Sequence, residues 1–379
     1  MPEAYRNLFT RSGVSLTPDT ALQLAAVLCA VRVIAEGVAQ VPLKVIREEE
    51  RDGKTYRKPA TDDPVYMILH RRPNSWQTSF EWREQMTMHA VLCGNAYSVI
   101  GRVNGKIDEL IPVHPDQMEV KFERGTLSYR ATIDGRQTDL DAKDVFHLRG
   151  PTMDGVRGLP IVSLARSVLG LSLDLEESQA NLQRTGGRPS GILANKGTAL
   201  SPEKKAELRE EWQKKFGPGG EGGIAVLDGG WEFAAMMMTA VDAQHIENRR
   251  FQIEEIGRTF RVLPLMLMHA DKTATFASTE QFFIAHVVHT LDPWIQRWEH
   301  SLDRDLLDDP STYAHFLLQG LMRGAAADRA EYYTKALGSG GAPAWHTQNE
   351  IRAMEDRDPI EGGDELFRGS QNATAKPAA

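Results

Sequence analysis

The chain has 379 residues, room for roughly two or three ordinary domains, and its 41% hydrophobic and 25% charged content is that of a soluble globular protein. A net charge of −8 excludes a protein built to grip DNA tightly, since such a protein gathers Lys and Arg that displace counterions from phosphates. It leaves room for a protein that DNA passes through without sticking. The two cysteines, Cys29 and Cys93, sit in apolar runs and read as small buried hydrophobes in a reducing compartment. No run reaches the ~18 apolar residues of a membrane span, and no signal peptide is visible, so a cytoplasmic setting is expected.

In chain order, residues 1–20 read as a loosely ordered arm, and Ala21–Ala39 as a mostly buried amphipathic helix. Two β segments follow around Asp52-Gly53, then helices over Pro64–His70 and Ser79–Leu92. Residues 95–113 alternate on either side of Asn104-Gly105, the signal of a hairpin. Strands are expected over Met118–Phe122, Leu127–Ile133 and Asp144–Arg149, with a turn at Asp134-Gly135. Residues 21–150 therefore read as one α+β domain. A helix over Pro160–Arg184, with Pro160 in its first turn, carries Ile161, Leu164, Val168, Leu171 and Leu175 at helical spacing and stops at Gly186-Gly187.

A second long helix, Asp242–Arg261, carries Ile246, Ile253, Ile256 and Phe260 on one side. Between the two helices, residues 190–237 read as strand, helix, Gly-rich turn and strand. A helix out, a small module and a helix back make a strut with a docking tip. An irregular stretch, Leu265–Ala277, follows Pro264. Its Leu265, Met266, Leu267 and Met268 anchor a base in the core, while His269–Thr275 form either a mobile loop or a static connector. A long helix over Ser278–Leu307, with Ser278 as its cap, is expected to kink at Pro293. One more strand (near Tyr313–Leu318), a small helical segment and a tail of disordered composition complete the chain.

Catalytic signatures are near misses. Gly101–Lys106 is one residue short of a phosphate loop, lacks the following Ser or Thr, and reads better as a hairpin. Gly217–Gly223 precedes a strand, where a dinucleotide fingerprint opens a helix. His286 and His289 are three apart on a helix, without supporting Cys or acidic ligands, and read as face or packing histidines; Trp298, Glu299 and His300 read as ordinary helix content. No catalytic residue, metal site or cofactor is expected. The insert helix alternates Lys204, Lys205, Arg209, Lys214 and Lys215 with Glu203, Glu207, Glu210 and Glu211, the pattern of a solvated face. Trp212 and Phe216 lie on one side of it and anchor it to its own strands or to a partner.

An ordered series of short matches resembles the portal proteins of long-tailed double-stranded DNA phages and gene transfer agents. It includes Arg72-Pro73-Asn74, Gly94-Asn95-Ala96-Tyr97, His147 to Gly158, Asp228-Gly229-Gly230, Asp242-Ala243-Gln244, Leu291-Asp292-Pro293, Asn349-Glu350-Ile351-Arg352 and Gly362-Gly363-Asp364. Leu159-Pro160 departs from the Ser-Pro frequent in relatives. The resemblance implies an α+β portal-type fold: an arm (1–20), a wing (21–159), a stem of two helices (160–185 and 242–262), a clip (186–241), a channel loop (263–277), a long kinked helix and wing strand (278–322), a helical crown (323–360) and a disordered tail (361–379).

It also implies a ring, typically of twelve copies, at one capsid vertex of the virion. The ring would nucleate capsid assembly within the major capsid protein shell, pass double-stranded DNA in packaging and ejection, and dock the terminase large subunit and later the head-completion or adaptor proteins of the neck. Synthesis would be in the host cytoplasm, with no membrane partner and no catalysis. Docking would fall to Lys204, Lys205, Arg209, Trp212 and Lys215 of the clip. Lys272, Thr273 and His269 of the loop, with Arg249 and Arg258 of the second helix, would face DNA. On that helix and its end, Asp242, Glu247, Glu254 and Glu255 balance Arg249, Arg250, Arg258 and Arg261. A minor capsid or tail-adaptor protein without a conduit is the alternative.

Overall fold

The computed structural model describes residues 8–9, 15–51, 54–133, 135–184, 191–195, 201–204, 206–207, 210, 231–235, 241–269, 276–318, 326–338, 343–354 and 359–366. The chain opens with β1 (Leu8–Phe9), β2 (Ser15–Leu16), α1 (Pro18–Ala21) and α2 (Ala25–Ala39). Next come β3 (Leu43–Arg51), β4 (Lys54–Pro59), α3 (Pro64–His70) and α4 (Ser79–Cys93). Six strands follow: β5 (Asn95–Val103), β6 (Lys106–Val113), β7 (Met118–Glu123), β8 (Thr126–Ile133), β9 (Arg136–Asp141) and β10 (Val145–Arg149). Helices α5 (Ile161–Leu164) and α6 (Arg166–Arg184) lead to β11 (Gly191–Asn195), β12 (Trp231–Ala235) and α7 (Val241–Phe260). The chain continues through α8 (Phe276–His286), α9 (Asp292–Leu306), β13 (Thr312–Phe316), α10 (Ala326–Ala336) and α11 (Gln348–Met354).

The chain forms two compact units. One comprises Met1–Glu36, Trp82–Gly101 and Leu110–Asp271, the other Gly37–Glu81, Arg102–Glu109 and Lys272–Ala379.

In the first unit the expected loose arm gives way before residue 20. Strand β2 pairs antiparallel with β1 and buries Leu16. Thr17 and Thr20 then exchange side-chain and backbone hydrogen bonds in a capping box, with Pro18 in the first turn of α1. Antiparallel strands β7-β8-β9 pack Met118, Val120, Tyr129 and Ala131 onto Tyr97, Val113 and Val145. Buried Trp82 donates its indole N–H to Ser98 Oγ at 3.0 Å, so the ring is buried without orphaning its polar tip. Strand β9 escaped the sequence reading because its residues are almost all exposed and polar; it is held by its ladder to β8. The expected continuous helix from Pro160 is two helices. Pro160 is the N-cap of α5, and the ladder restarts at Ala165, whose carbonyl takes the N–H groups of Val168 and Leu169.

In the second unit the sheet order is β13-β3-β4, all antiparallel. Asp63 caps α3 by accepting the Val65 N–H at 2.8 Å, ahead of Pro64. Helix α9 buries Ile295, Trp298, Leu302 and Leu306 at helical spacing. Glu299, read from sequence as ordinary helix content, accepts the Phe316 N–H at 2.7 Å, and Asp303 accepts the Ala314 N–H at 2.7 Å. Two helix carboxylates thus occupy donors of a strand that, among the described residues, pairs only with β3, which blunts its edge. The disturbance expected at Pro293 takes the form of a π-helical turn at Val287–Leu291, immediately before it. Proline has no N–H to donate and its ring crowds the carbonyl four residues back, so a wider turn accommodates it. Helix α8 already includes Phe276 and Ala277, so Ser278 lies in its first turn and is not its cap.

Candidate functional site

Helices α6 and α7 pack together, and their cross-contacts give the direction. Ser172 Oγ donates to Gln252 Oε1 at 2.9 Å in the interior, and Arg249 reaches Glu176 at 3.5 Å and Gln179 at 3.3 Å. One helix advances as the other recedes, so the pair is antiparallel. Strands β11 and β12, which lie between the two helices in the chain, form their own antiparallel ladder from Gly191↔Ala235 to Asn195↔Trp231. Helical backbone at 202–204, 206–207 and 210 follows β11. The expected order of helix, strand, helix and strand, then helix, is present.

Helix α7 ends in a Schellman motif. The Val262 N–H bonds the Gly257 carbonyl at 2.9 Å, the Arg261 N–H bonds that of Arg258 at 3.2 Å, and Arg261 is left-handed at φ 56°. Gly257 leaves room for Leu267, whose Cδ1 would lie 3.3 Å from a Cβ built there. Pro264–Leu267 is a 3-10 turn, so the irregular stretch expected from Leu265 begins later. Of the four residues expected to anchor it, Leu267 is buried and Leu265 and Met266 are half-buried. Met268 is instead 91% exposed and left-handed at φ 57°, because the turn ends on it.

A latch of backbone contacts lies where β5 and β10 meet the loop before α5. The Gly150 N–H donates to the Gly94 carbonyl at 2.8 Å. Asn95 Oδ1 accepts the Gly158 N–H at 2.8 Å and lies 3.0 Å from His147 Nε2, while Asn95 Nδ2 donates to the Gly158 carbonyl at 3.2 Å. Arg149 Nε donates to His147 Nδ1 at 3.2 Å, which makes Nδ1 an acceptor and assigns the ring proton to Nε2, aimed at Asn95. Fully buried His147 is thus neutral and fixed in one tautomer. Asp154 organises the same loop by accepting the Val156 and Arg157 N–H groups, each at 2.8 Å, and these bonds hold its carboxyl below the usual range.

The residues singled out from sequence fall in different places. Arg249 and Arg258 lie nine positions apart on α7, half a turn out of phase, so they share no face. Arg249 ties α7 to α6. Arg258 pairs with Glu254 at 3.5 Å and with Glu255, and its guanidinium stands 5.9 Å from the Phe251 ring. His269 is half-buried, its backbone N–H on the Pro264 carbonyl at 3.0 Å. Lys204 is exposed in the first turn after Ser201, whose Oγ accepts its N–H at 3.4 Å. Lys272, Thr273, Lys205, Arg209, Trp212 and Lys215 lie outside the described residues. The latch residues Asn95 and His147 were visible only as members of short motifs. The Ser172–Gln252 bond had no signal beyond two polar residues on apolar helix faces. His286 is buried while His289 is exposed.

The architecture, antiparallel sheets with helices and a long helix pair that brackets a small β-sheet insert, is that of a portal-type α+β fold. The model of the family described as phage portal protein matches residues 25–356, and the chain belongs to that family. It is 30% identical over 362 residues to the portal protein of Enterobacteria phage HK97, covering 94% of this chain and 84% of the relative. Its fold resembles a chain from the neck of a native gene transfer agent particle computed with C12 symmetry: TM-score 0.60, 23% identity, covering 94% of this chain and 97% of that one. It also resembles the crystal structure of an HK97-family phage portal protein from Corynebacterium diphtheriae: TM-score 0.59, 19% identity, covering 82% and 96%. The function that goes with this membership is that of the portal at a capsid vertex. Among the described residues, no helix is long and apolar enough to cross a membrane.

Proposed function

We propose that the chain closes into a ring of twelve copies that forms a conduit for double-stranded DNA and has no catalysis of its own. The observation that carries this reading is the antiparallel pair α6 and α7 with the β11–β12 insert between them in the chain: a strut that presents a tip. The twelvefold symmetry of the gene transfer agent neck supports the copy number. In this reading residues 21–159 are the wing, α6 and α7 the stem, the insert the clip, and residues 323–360 the crown. The clip, through Lys204, Lys205, Arg209, Trp212 and Lys215, docks the terminase motor and then the neck proteins.

The stem wall is near neutral. Arg249 and Arg258 each have a carboxylate partner, so neither adds an unpaired charge for phosphate to hold. Contact with DNA falls instead to the loop at His269–Thr273, with Lys272 repeated around the ring. Purified chain imaged in negative stain and weighed intact tests the reading. Rings with an axial hole and the mass of twelve chains are expected, while monomers or solid particles overturn it. Within particles, Lys272→Glu should leave rings intact and reduce packaged DNA, and full genomes would sink the role given to the loop.

A further inference from the structure

A cleft of about 100 Å³ lies beside the helix pair, walled by Leu24 and Ala25 at the start of α2, Leu175 of α6, and Ile253 and Ile256 of α7. Its polar floor is satisfied, because Ser172 and Gln252 bond each other. Glu176 and Arg249 stand at its rim. An apolar cavity of ~150 Å³ accepts a whole benzene, so this smaller cleft takes the leading edge of an aromatic ring.

On α7 the lining residues Arg249, Gln252, Ile253 and Ile256 share one face. Phe251 points about 150° away from the centre of that face at 3.6 residues per turn. Phe251 is 52% exposed, and Arg258 stands over its ring two turns on. One helix therefore carries an unfilled socket on one side and an unburied aromatic knob on the other.

We propose that the cleft is the subunit socket of the ring and that Phe251 of a second copy fills it. This rests on the ring reading above. A closed cyclic assembly needs two different, complementary patches on every chain; α7 carries the knob and forms one wall of the socket. Burying a Phe side chain is among the larger stabilising contributions at an interface. The charges agree in sign: Arg258 travels with the knob, and Glu176 stands on the rim, 3.5 Å from Arg249. In the assembly Glu176 comes to lie between its own Arg249 and the incoming guanidinium. The aromatic knob is thereby assigned to a neighbouring chain rather than to the channel or to a small apolar ligand.

Cross-linking of assembled full-length chain tests this. A Phe251→Cys, Leu175→Cys double variant treated with a short bismaleimide should give a ladder of covalent oligomers up to the full ring. Each single variant, and the parent with only Cys29 and Cys93, should stay monomeric on denaturing gels. Mixing the two single variants should give cross-linked dimers. Phe251→Ala should raise the protein concentration needed for half-assembly roughly tenfold or more. Rings of normal appearance without a ladder overturn the knob-and-socket proposal and leave the ring reading standing, as does unchanged assembly of Phe251→Ala. Parent chains that form no ring overturn both.

Discussion

Gly158 lies against Gly94 so closely that a Cβ on Gly158 would stand 1.7 Å from the Gly94 carbonyl oxygen. A Cβ on Gly94 would stand 2.3 Å from the Leu159 carbonyl oxygen, and Gly94 is also left-handed at φ 78°. Both clashes are with backbone, which has no flexible end to swing aside. Gly158→Ala is therefore expected to cost about 3 kcal/mol or more, through displacement of the loop that leads into α5. Gly155→Ala, in the same loop, meets no atom within 4 Å and carries only the strain of φ 73°, a cost of about 1 kcal/mol. Equal melting temperatures for the two variants would show that the close approach does not matter.

Asn95 serves two donors at once with Oδ1. Asn95→Ala leaves the Gly158 N–H and the His147 Nε2–H without their acceptor in a buried place. An orphaned buried donor costs about 1–3 kcal/mol, so a loss of about 2–4 kcal/mol is expected. Urea denaturation reads it as a lower midpoint with an unchanged slope. An unchanged midpoint would mean that solvent replaces the amide and that the network does not lock the loop.

Elements with a period or a turn signature were legible in the sequence. Helix α3 was legible from Pro64, and the β5–β6 hairpin from Asn104 and Gly105, which are left-handed at φ 52° and 78°. The break at Ala165 was not legible, because Ile161, Leu164, Val168 and Leu171 keep helical spacing across it. The β7–β8 turn hides its left-handed pair in Arg124-Gly125, and β9 presents almost no apolar residue to alternate. The roles of Glu299 and Asp303 depend on a strand that arrives from elsewhere in the chain. Among the functional residues, the antiparallel helix pair was readable from spacing, but which arginine faces which carboxylate was not. Arg249 and Arg258 look alike in sequence, and only the phase of α7 against α6 separates them.

Met268 closes the 3-10 turn in the left-handed region while almost wholly exposed. A residue with a Cβ is strained there by about 1–2 kcal/mol, and the side chain recovers little by packing. Met268→Gly should therefore raise stability by about 1 kcal/mol, whereas Met268→Val, branched at Cβ, should lower it. Thermal melts of the pair give the order. A Met268→Gly variant less stable than the parent would mean that Met268 is buried in the assembled state.

His89 sets a pH dependence on the first unit. Its Nδ1 is sealed from solvent without a hydrogen-bond partner, and its ring stacks edge-on to His114 at 5.2 Å. Burial first, and the His114 ring second, push its pKa down to about 4, although Asp116, bonded to His114 Nδ1 at 2.5 Å, pulls the other way. In the unfolded chain the imidazole returns to its ordinary value near 6.5. Between these values the unfolded state binds a proton that the folded state refuses, so stability rises with pH across that window. The contribution is complete above about pH 6.5 and is lost as the pH falls toward about 4, a swing of up to about 3 kcal/mol at ~1.4 kcal/mol per unit. In the second unit, buried His286, also without a partner at Nδ1, shifts in the same direction through burial and adds to the acid sensitivity. Denaturation midpoints measured from pH 4.5 to 7.5 should climb with pH in the parent, and His89→Leu should flatten part of that climb. A His89→Leu variant that keeps the full slope would show that the proton refused on folding belongs to another group.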